Sequence, residues 1–298
     1  MRLFVIGAEG QVARSLREVA SRGDNGDNIV FGFGARPDLD LLHPASIAKA
    51  LADFRPDLVV NPAAYTAVDK AESEPDQAFA LNRGGARAVA AAAADRGVPV
   101  IHLSTDYVFD GKKKEPYSET DPVGPQGVYG RSKLAGELAV AEANPRNIVL
   151  RTSWVYAPFG GNFVRTMLRL TTERDRLRVV DDQVGCPTYA PDIARAIAAI
   201  AQRWADSDWH PQYAGVTHIA GPDVRTWCGF AREIVQGGAE RGGRLIPVDP
   251  ISTSDYPTPA MRPANSCLSS QRLEALFGLR LPPLRSSLDD CLDRLLRH

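Results

Sequence analysis

An α/β fold built on a doubly wound parallel sheet is what this sequence predicts, and three observations predict it. Short apolar runs alternate with helix-period stretches through the first 155 residues. The runs are rich in Val, Ile and Leu with few polar breaks, as strands covered on both faces require. A glycine turn follows the first run directly.

The elements come in order. Arg2–Ile6 reads as the first strand and opens into Gly7-Ala8-Glu9-Gly10, with a helical pattern over Gly10–Ala20. Asn28–Gly32, Ala45–Phe54 and Leu58–Asn61 continue as strand, helix and strand. Pro75–Arg96 reads as one long helix whose Ala-rich part, Gly84–Ala94, suits close packing on a sheet. Strand Pro99–Ser104, helix Tyr129–Ala143 and strand Asn147–Thr152 complete the alternation.

After about residue 155 prolines become frequent and the elements shorten. Helical patterns persist over Ala190–Trp204, Thr226–Gln236 and Arg285–Leu296, which predicts a smaller mixed α/β C-terminal lobe. The expected division is a dinucleotide-binding Rossmann-type domain over 1–155. Residues 156–298 are expected to hold mainly substrate, with some segments returning to the main sheet.

At 298 residues and 44% hydrophobic, the chain can bury a full core. Its 35 basic and 36 acidic residues give no global attraction to nucleic acid or to an anionic membrane. The apolar start, Met1–Gly7, is too short for a signal peptide, and nothing approaches a membrane span. A cytoplasmic location is expected. Cys186, Cys228, Cys267 and Cys291 form no CxxC or Cys/His pattern, so reduced thiols and no metal site are expected.

The turn carries the first functional signal. Gly7 and Gly10 let the backbone approach a pyrophosphate, and the helix beginning at Gln11 and Val12 offers free N–H groups to it. Phe31–Pro37 holds no acid where a free ribose 2′-OH is commonly met, but does hold Arg36. The expectation is NADPH, with NADH left open; the plainer reading of Arg36 is a surface arginine.

Tyr129 and Lys133 are four residues apart at the start of a predicted helix, hence on one face. An ammonium there is expected to lower the tyrosine pKa so that its proton can pass to a carbonyl oxygen. Ser104-Thr105-Asp106-Tyr107-Val108-Phe109-Asp110-Gly111 follows a predicted buried strand, and Thr105 can offer a hydroxyl to the same carbonyl.

Together with Tyr65–Glu72, Tyr117–Pro122, Val128–Glu137, Arg151–Tyr156, Asp182–Thr188 and Arg262-Pro263, these strings resemble one family over nearly the whole chain. It is the extended short-chain dehydrogenases and, within them, the dTDP-4-dehydrorhamnose reductases. The resemblance implies Thr105, Tyr129 and Lys133 as the catalytic set. It implies Gly10, Gln11 and Val12 at the pyrophosphate, Asp40 and Leu41 over the adenine, and Ala64, Tyr65, Thr66 and Leu103 along the cofactor. Tyr129 and Lys133 are implied on the cofactor too, Lys133 at the nicotinamide ribose. For the sugar it implies Thr66, Val68, Thr105, Asp106 and Trp154, the last otherwise a core tryptophan.

The activity so implied is NAD(P)H-dependent reduction of the C4 keto group of a dTDP-linked 4-keto-6-deoxysugar, dTDP-4-dehydro-L-rhamnose, for cell-surface polysaccharide. A talose-type product and a non-catalytic NADP-binding regulatory subunit are the alternatives. Some members of the family use Mg²⁺ at a subunit contact. No acidic cluster here carries that role plainly, so a homodimer stays open. His102 reads as a plain strand histidine and Lys112–Lys114 as a solvated loop tip.

Overall fold

Each apolar run of the first 155 residues becomes a parallel strand of one six-stranded sheet in the computed structural model, which describes residues 1–22, 29–207 and 209–296. The first half runs β1 (Arg2–Ile6), α1 (Gln11–Arg22), β2 (Val30–Gly34), α2 (Pro44–Phe54), β3 (Leu58–Asn61), the short α3 (Val68–Ala71), α4 (Pro75–Phe79), α5 (Ala86–Ala94), β4 (Val100–Thr105), α6 (Val128–Ala143) and β5 (Asn147–Thr152). The second half continues with β6 (Val155–Tyr156), α7 (Phe163–Glu173), β7 (Leu177–Val180), β8 (Val184–Gly185), β9 (Thr188–Tyr189), α8 (Ala190–Ser207) and β10 (Gly215–His218). It closes with β11 (Arg225–Thr226), α9 (Trp227–Ala239), β12 (Val248–Ile251), β13 (Asn265–Ser266), α10 (Gln271–Phe277) and α11 (Leu284–Leu296).

The strand order is β10-β5-β4-β3-β1-β2, so the winding reverses between β1 and β3. A crevice opens at such a reversal, beyond the carboxyl ends of the strands. Apolar side chains cover both faces. Leu3, Val5, Leu58, Ile101, Ile148 and Leu150 pack against α1, α8 and α10. Phe4, Ile6, Val59, Val100 and Val149 pack against α2, α5 and α6. β10 pairs with β5 from Gly215 opposite Ile148 to His218 opposite Arg151, bringing a segment of the second half into the main sheet.

A separate cluster around Val164, Phe230, Ile234, Leu288 and Leu292 holds α7, α9 and α11 together beside the β7–β12 pair. β8 lies between β11 and β13. The four cysteines are free and buried. Among the described residues no helix is long and apolar enough to cross a membrane.

Most elements begin or end within a few residues of the sequence expectation, and three differences bear on the site. The second strand runs from Val30 to Gly34, and Asn28 lies outside the described residues. The fourth extends one residue further, to Thr105. The long helix over Pro75–Arg96 is interrupted by a π turn, Ala80–Gly85, between α4 and α5. That turn is closely packed. A Cβ added to Gly85 would lie 2.8 Å from Leu41 Cβ, and one added to Gly136 of α6 would lie 2.1 Å from the Asn82 carbonyl oxygen. Alanine-rich sequence has no apolar stripe from which a widened turn could be read.

Candidate active site

The sequence-selected groups gather at the carboxyl ends of the strands. Gly7, at the end of β1, has φ +99°, and a Cβ there would meet Ala63 Cβ at 3.5 Å, so this turn and the loop after β3 face each other across the winding reversal. The first-turn amides of α1 are left without helical acceptors there. The Gln11 side chain turns aside, with Nε2 donating to the Val155 carbonyl and Oε1 accepting from Asn162. Its backbone N–H, with that of Val12, remains for an anion.

At the end of β2, Arg36 and Asp40 line a cavity of about 730 Å³ with Pro37, His43 and Ser46. Asp40 Oδ1 accepts the Leu42 N–H at 2.9 Å, which holds this loop in shape. Leu41, by contrast, is buried in the core rather than open to the cavity. After β3, Ala64 is half-buried, Tyr65 buried and Thr66 exposed. The Tyr65 hydroxyl donates to Glu74, and burial raises its pKa. Val68 begins α3.

Thr105 ends β4 and connects three groups. Its hydroxyl donates to Asp106 Oδ1 at 2.9 Å, accepts the Tyr107 N–H at 3.2 Å and lies close enough to the Tyr129 phenol to favour its ionised form. Burial pushes Asp106 up to about 6, against the pull of the Ser266 and Thr105 hydroxyls. α6 brings Tyr129 and Lys133 to this point. Gly130 lets the helix approach, since a Cβ there would be 2.2 Å from the Tyr107 carbonyl oxygen. The Val128 N–H, in the first turn of α6, donates to Glu72 Oε1 at 2.7 Å.

The expected lowering of the Tyr129 pKa by Lys133 is not found. Burial and the Asp106 carboxylate hold the phenol well above its ordinary value, with only the Thr105 hydroxyl acting the other way. Lys133 Nζ instead donates to the Leu103 carbonyl at 2.6 Å and lies 3.5 Å from His102 Nε2. Burial lowers Lys133 to about 8, so its charge is weakly held.

Trp154 follows β5 with φ +46°. Its indole stacks on Trp227 with centroids 3.4 Å apart and planes 8° from parallel. A Cβ on Gly185 would sit 2.2 Å from Trp154 Cε2, 2.5 Å from Nε1 and 2.7 Å from Cδ2, which places Gly185 directly above the ring. Two groups cannot share one face at those distances, so Trp227 and Gly185 lie on opposite faces. What the Trp154 indole offers a ligand is its edge. On the far rim, Asp69 pairs with Arg262 at 2.9 Å and accepts the Ala260 N–H, tying α3 to the loop before β13.

The family described as "RmlD substrate binding domain" matches residues 1–297. A dTDP-4-dehydrorhamnose reductase of Sinorhizobium fredii is 52% identical over 282 residues, covering 95% of this chain and 93% of the relative. The chain belongs to the RmlD substrate-binding-domain family.

The solved structures agree on the fold. A dTDP-4-dehydrorhamnose reductase of Clostridium acetobutylicum superposes with TM-score 0.89 at 35% identity, covering 100% of both chains. One from Bacillus anthracis, in complex with NADP, gives TM-score 0.87 at 32% identity over 97% of each chain.

Within this RmlD-family chain, sequence reading missed several buried groups beside the site. Asn82, in the π turn, donates to the Tyr65 carbonyl and to Ser132 Oγ, and accepts the Tyr65 N–H, linking the loop after β3 to α6. Glu137 on α6 accepts from Arg151 Nε at 2.9 Å and Nη2 at 2.6 Å, and from the Ser104 hydroxyl, bracing the helix against β4 and β5. Trp227 stands at the start of a helix that was legible, but nothing local marks it as the partner of Trp154. His102 was read as a plain strand histidine and touches Lys133. Of Lys112–Lys114, the outer two are exposed as expected, while Lys113 pairs with Asp121 at 2.6 Å.

Proposed function

We propose that this chain reduces the C4 keto group of dTDP-4-dehydro-L-rhamnose with NADPH, giving dTDP-L-rhamnose. The observation that carries the reading is the Thr105 hydroxyl brought to the Tyr129 phenol at the carboxyl edge of the sheet, beside a left-handed glycine turn and an arginine-lined cavity. The NADP-bound relative and the 52% identical reductase support it.

The dinucleotide fits the residues present. Gly7 and Gly10, with the backbone of Gln11 and Val12, receive the pyrophosphate. Arg36 pairs with the 2′-phosphate beside Asp40, while Leu41 backs the adenine loop from the core. Ala64, Tyr65, Thr66 and Leu103 flank the nicotinamide half. NADPH, when bound, supplies the hydride to C4. NADH remains the weaker alternative, having no phosphate for Arg36.

The chain's own groups manage the proton. Tyr129, whose phenol is held in its protonated form, gives that proton to the C4 oxygen as the hydride arrives. Thr105 orients the carbonyl through its hydroxyl. Lys133, held by the Leu103 carbonyl at the floor of the site, would meet the nicotinamide ribose. Thr66, Val68, Asp106 and the edge of Trp154 contact the sugar, and residues 156–298 mainly hold the nucleotide-sugar. The reaction belongs to the cytoplasm and serves cell-surface polysaccharide.

Incubation with dTDP-4-dehydro-L-rhamnose and NADPH, with NMR of the product, tests this. The expected product is dTDP-L-rhamnose. A talo configuration at C4 moves the assignment to the epimeric product, and absence of NADPH oxidation removes the reductase reading.

A further inference from the structure

Hydrogen bonds run from the sheet into the catalytic helix through a histidine that the reaction above leaves unused. The Ala63 N–H donates to Asn61 Oδ1 at 3.2 Å, which fixes the orientation of the Asn61 amide. Its other atom, Nδ2, therefore faces His102 Nδ1, at 3.2 Å. An amide nitrogen only donates, so Nδ1 accepts and the single proton of the neutral ring sits on Nε2. His102 is neutral because burial, reinforced by Lys133, holds it well below its ordinary value. The N–H on Nε2 points toward Lys133 Nζ, 3.5 Å away. An ammonium there opposes donor to donor, whereas a free amine has a lone pair to accept with.

We propose that Asn61 and His102 are positioning residues that set the protonation of Lys133, the fixed Nε2–H tautomer favouring the free amine. Lys133 is then a proton carrier near neutral pH rather than a permanent cation. The inference rests on reading Lys133 as the partner of Tyr129.

The other groups acting on Lys133 are few. From its own helix Glu137 favours the ammonium, but that carboxylate is already held by Arg151 of β5 and Ser104 of β4. β4 adds the Leu103 carbonyl, which accepts from either form of Nζ. The π turn contributes Asn82, uncharged, through Ser132. Asp106, beyond β4, acts on Tyr129 and not on Lys133. Burial outweighs Glu137, and the net displacement of Lys133 is downward.

The test exchanges the tautomer. Asn61→Asp replaces the amide nitrogen with an acceptor in the same place, so the proton moves to Nδ1 and Nε2 becomes an acceptor for the ammonium. The carboxylate also attracts the ammonium directly, and Asn61→Asp on a His102→Phe background gives that charge effect alone, which the single variant must exceed. Lys133 should then keep its proton to higher pH, moving the alkaline limb of kcat up by about one unit. His102→Gln, whose carbonyl can take the Asn61 N–H while its amide N–H faces Nζ, should keep the limb where the unaltered protein has it. A merely structural role lowers kcat at every pH without moving the limb.

Two readings need no turnover. ¹⁵N NMR of the unaltered protein should show His102, identified by its loss in His102→Gln, as the Nε2–H tautomer. Titration of the Lys133 side chain by ¹³C NMR should move upward in Asn61→Asp. An Nδ1–H tautomer in the unaltered protein overturns the proposal even if Asn61→Asp does not fold, and so does an unmoved Lys133 titration in the folded variant. Both hold or fail independently of whether the sugar is reduced.

Discussion

Trp154 and Trp227 stack face to face with their ring centroids 3.4 Å apart, although 73 residues separate them and neither β5 nor α9 alone would place one on the other. A stacked pair contributes about 1 kcal/mol beyond area burial. A double-mutant cycle with Trp154→Ala and Trp227→Ala, read by denaturant unfolding, should return a coupling of about that size. Each variant should also raise KM for the nucleotide-sugar while leaving NADPH affinity intact. Additive effects in the cycle would mean that the sandwich with Gly185 does not hold the indole.

Tyr129→Phe keeps the ring and removes the proton. It should lower kcat by about 10²-fold or more, the scale of one positioned acid. NADPH binding, followed by fluorescence, should scarcely change. Normal turnover would take Tyr129 out of the mechanism.

Arg36→Ala tests the cavity at the end of β2. Loss of a charge-assisted contact worth roughly 1.5–3 kcal/mol should raise KM for NADPH by about ten- to a hundred-fold. KM for NADH should stay nearly constant, because NADH offers no phosphate to lose. Equal effects on both cofactors would return Arg36 to the role of a surface residue.

Arg151→Met leaves the buried Glu137 carboxylate without its bidentate partner. Breaking a buried pair by removing one member costs about 3–5 kcal/mol. The midpoint of urea unfolding should fall accordingly, far more than for Arg169→Met, whose partner Glu173 lies in water.

Asp106→Asn has a pH-dependent expectation. Burial raises the folded-state pKa of Asp106 to about 6 from 3.8. Above that pH the folded protein carries a charge it would bind more favourably if unfolded. The penalty is relieved as pH falls from about 6 toward 4, where the folded state takes up the proton first. The variant should thus raise Tm near pH 8, by at most about 3 kcal/mol in stability, and give no gain near pH 4. A gain of equal size at both values would point to packing instead of charge.

The sheet was legible because β1, β3 and β5 are apolar runs bounded by turn residues, and burial on both faces leaves few polar interruptions. The pairing of Thr105 with Tyr129 was legible too, since strand ends and helix starts lie together in open α/β sheets. The upward displacement of Tyr129 was not. It depends on how deeply Asp106 is buried beside it and on Lys133 being drawn to the Leu103 carbonyl, and neither follows from a four-residue spacing. The Glu137–Arg151 brace was hidden for a related reason. Two opposite charges 14 residues apart, on a helix and a strand, read as surface until the register of β4 and β5 places Ser104 beside Arg151.

β10 covers the outer side of β5, and the His218 N–H reaches Glu119 Oε1, 2.8 Å away, in the stretch before α6. During synthesis from the N-terminus the sheet therefore waits. Until Gly215–His218 leaves the ribosome, β5 is a bare row of backbone donors and acceptors carrying Ile148, Val149 and Leu150, the kind of template on which a second nascent chain can align. A chain halted near residue 155 is left permanently in that condition. Such truncations should accumulate as aggregates rather than as a free nucleotide-binding half, and the amides of β5 should be among the last to gain protection from exchange as the full chain folds.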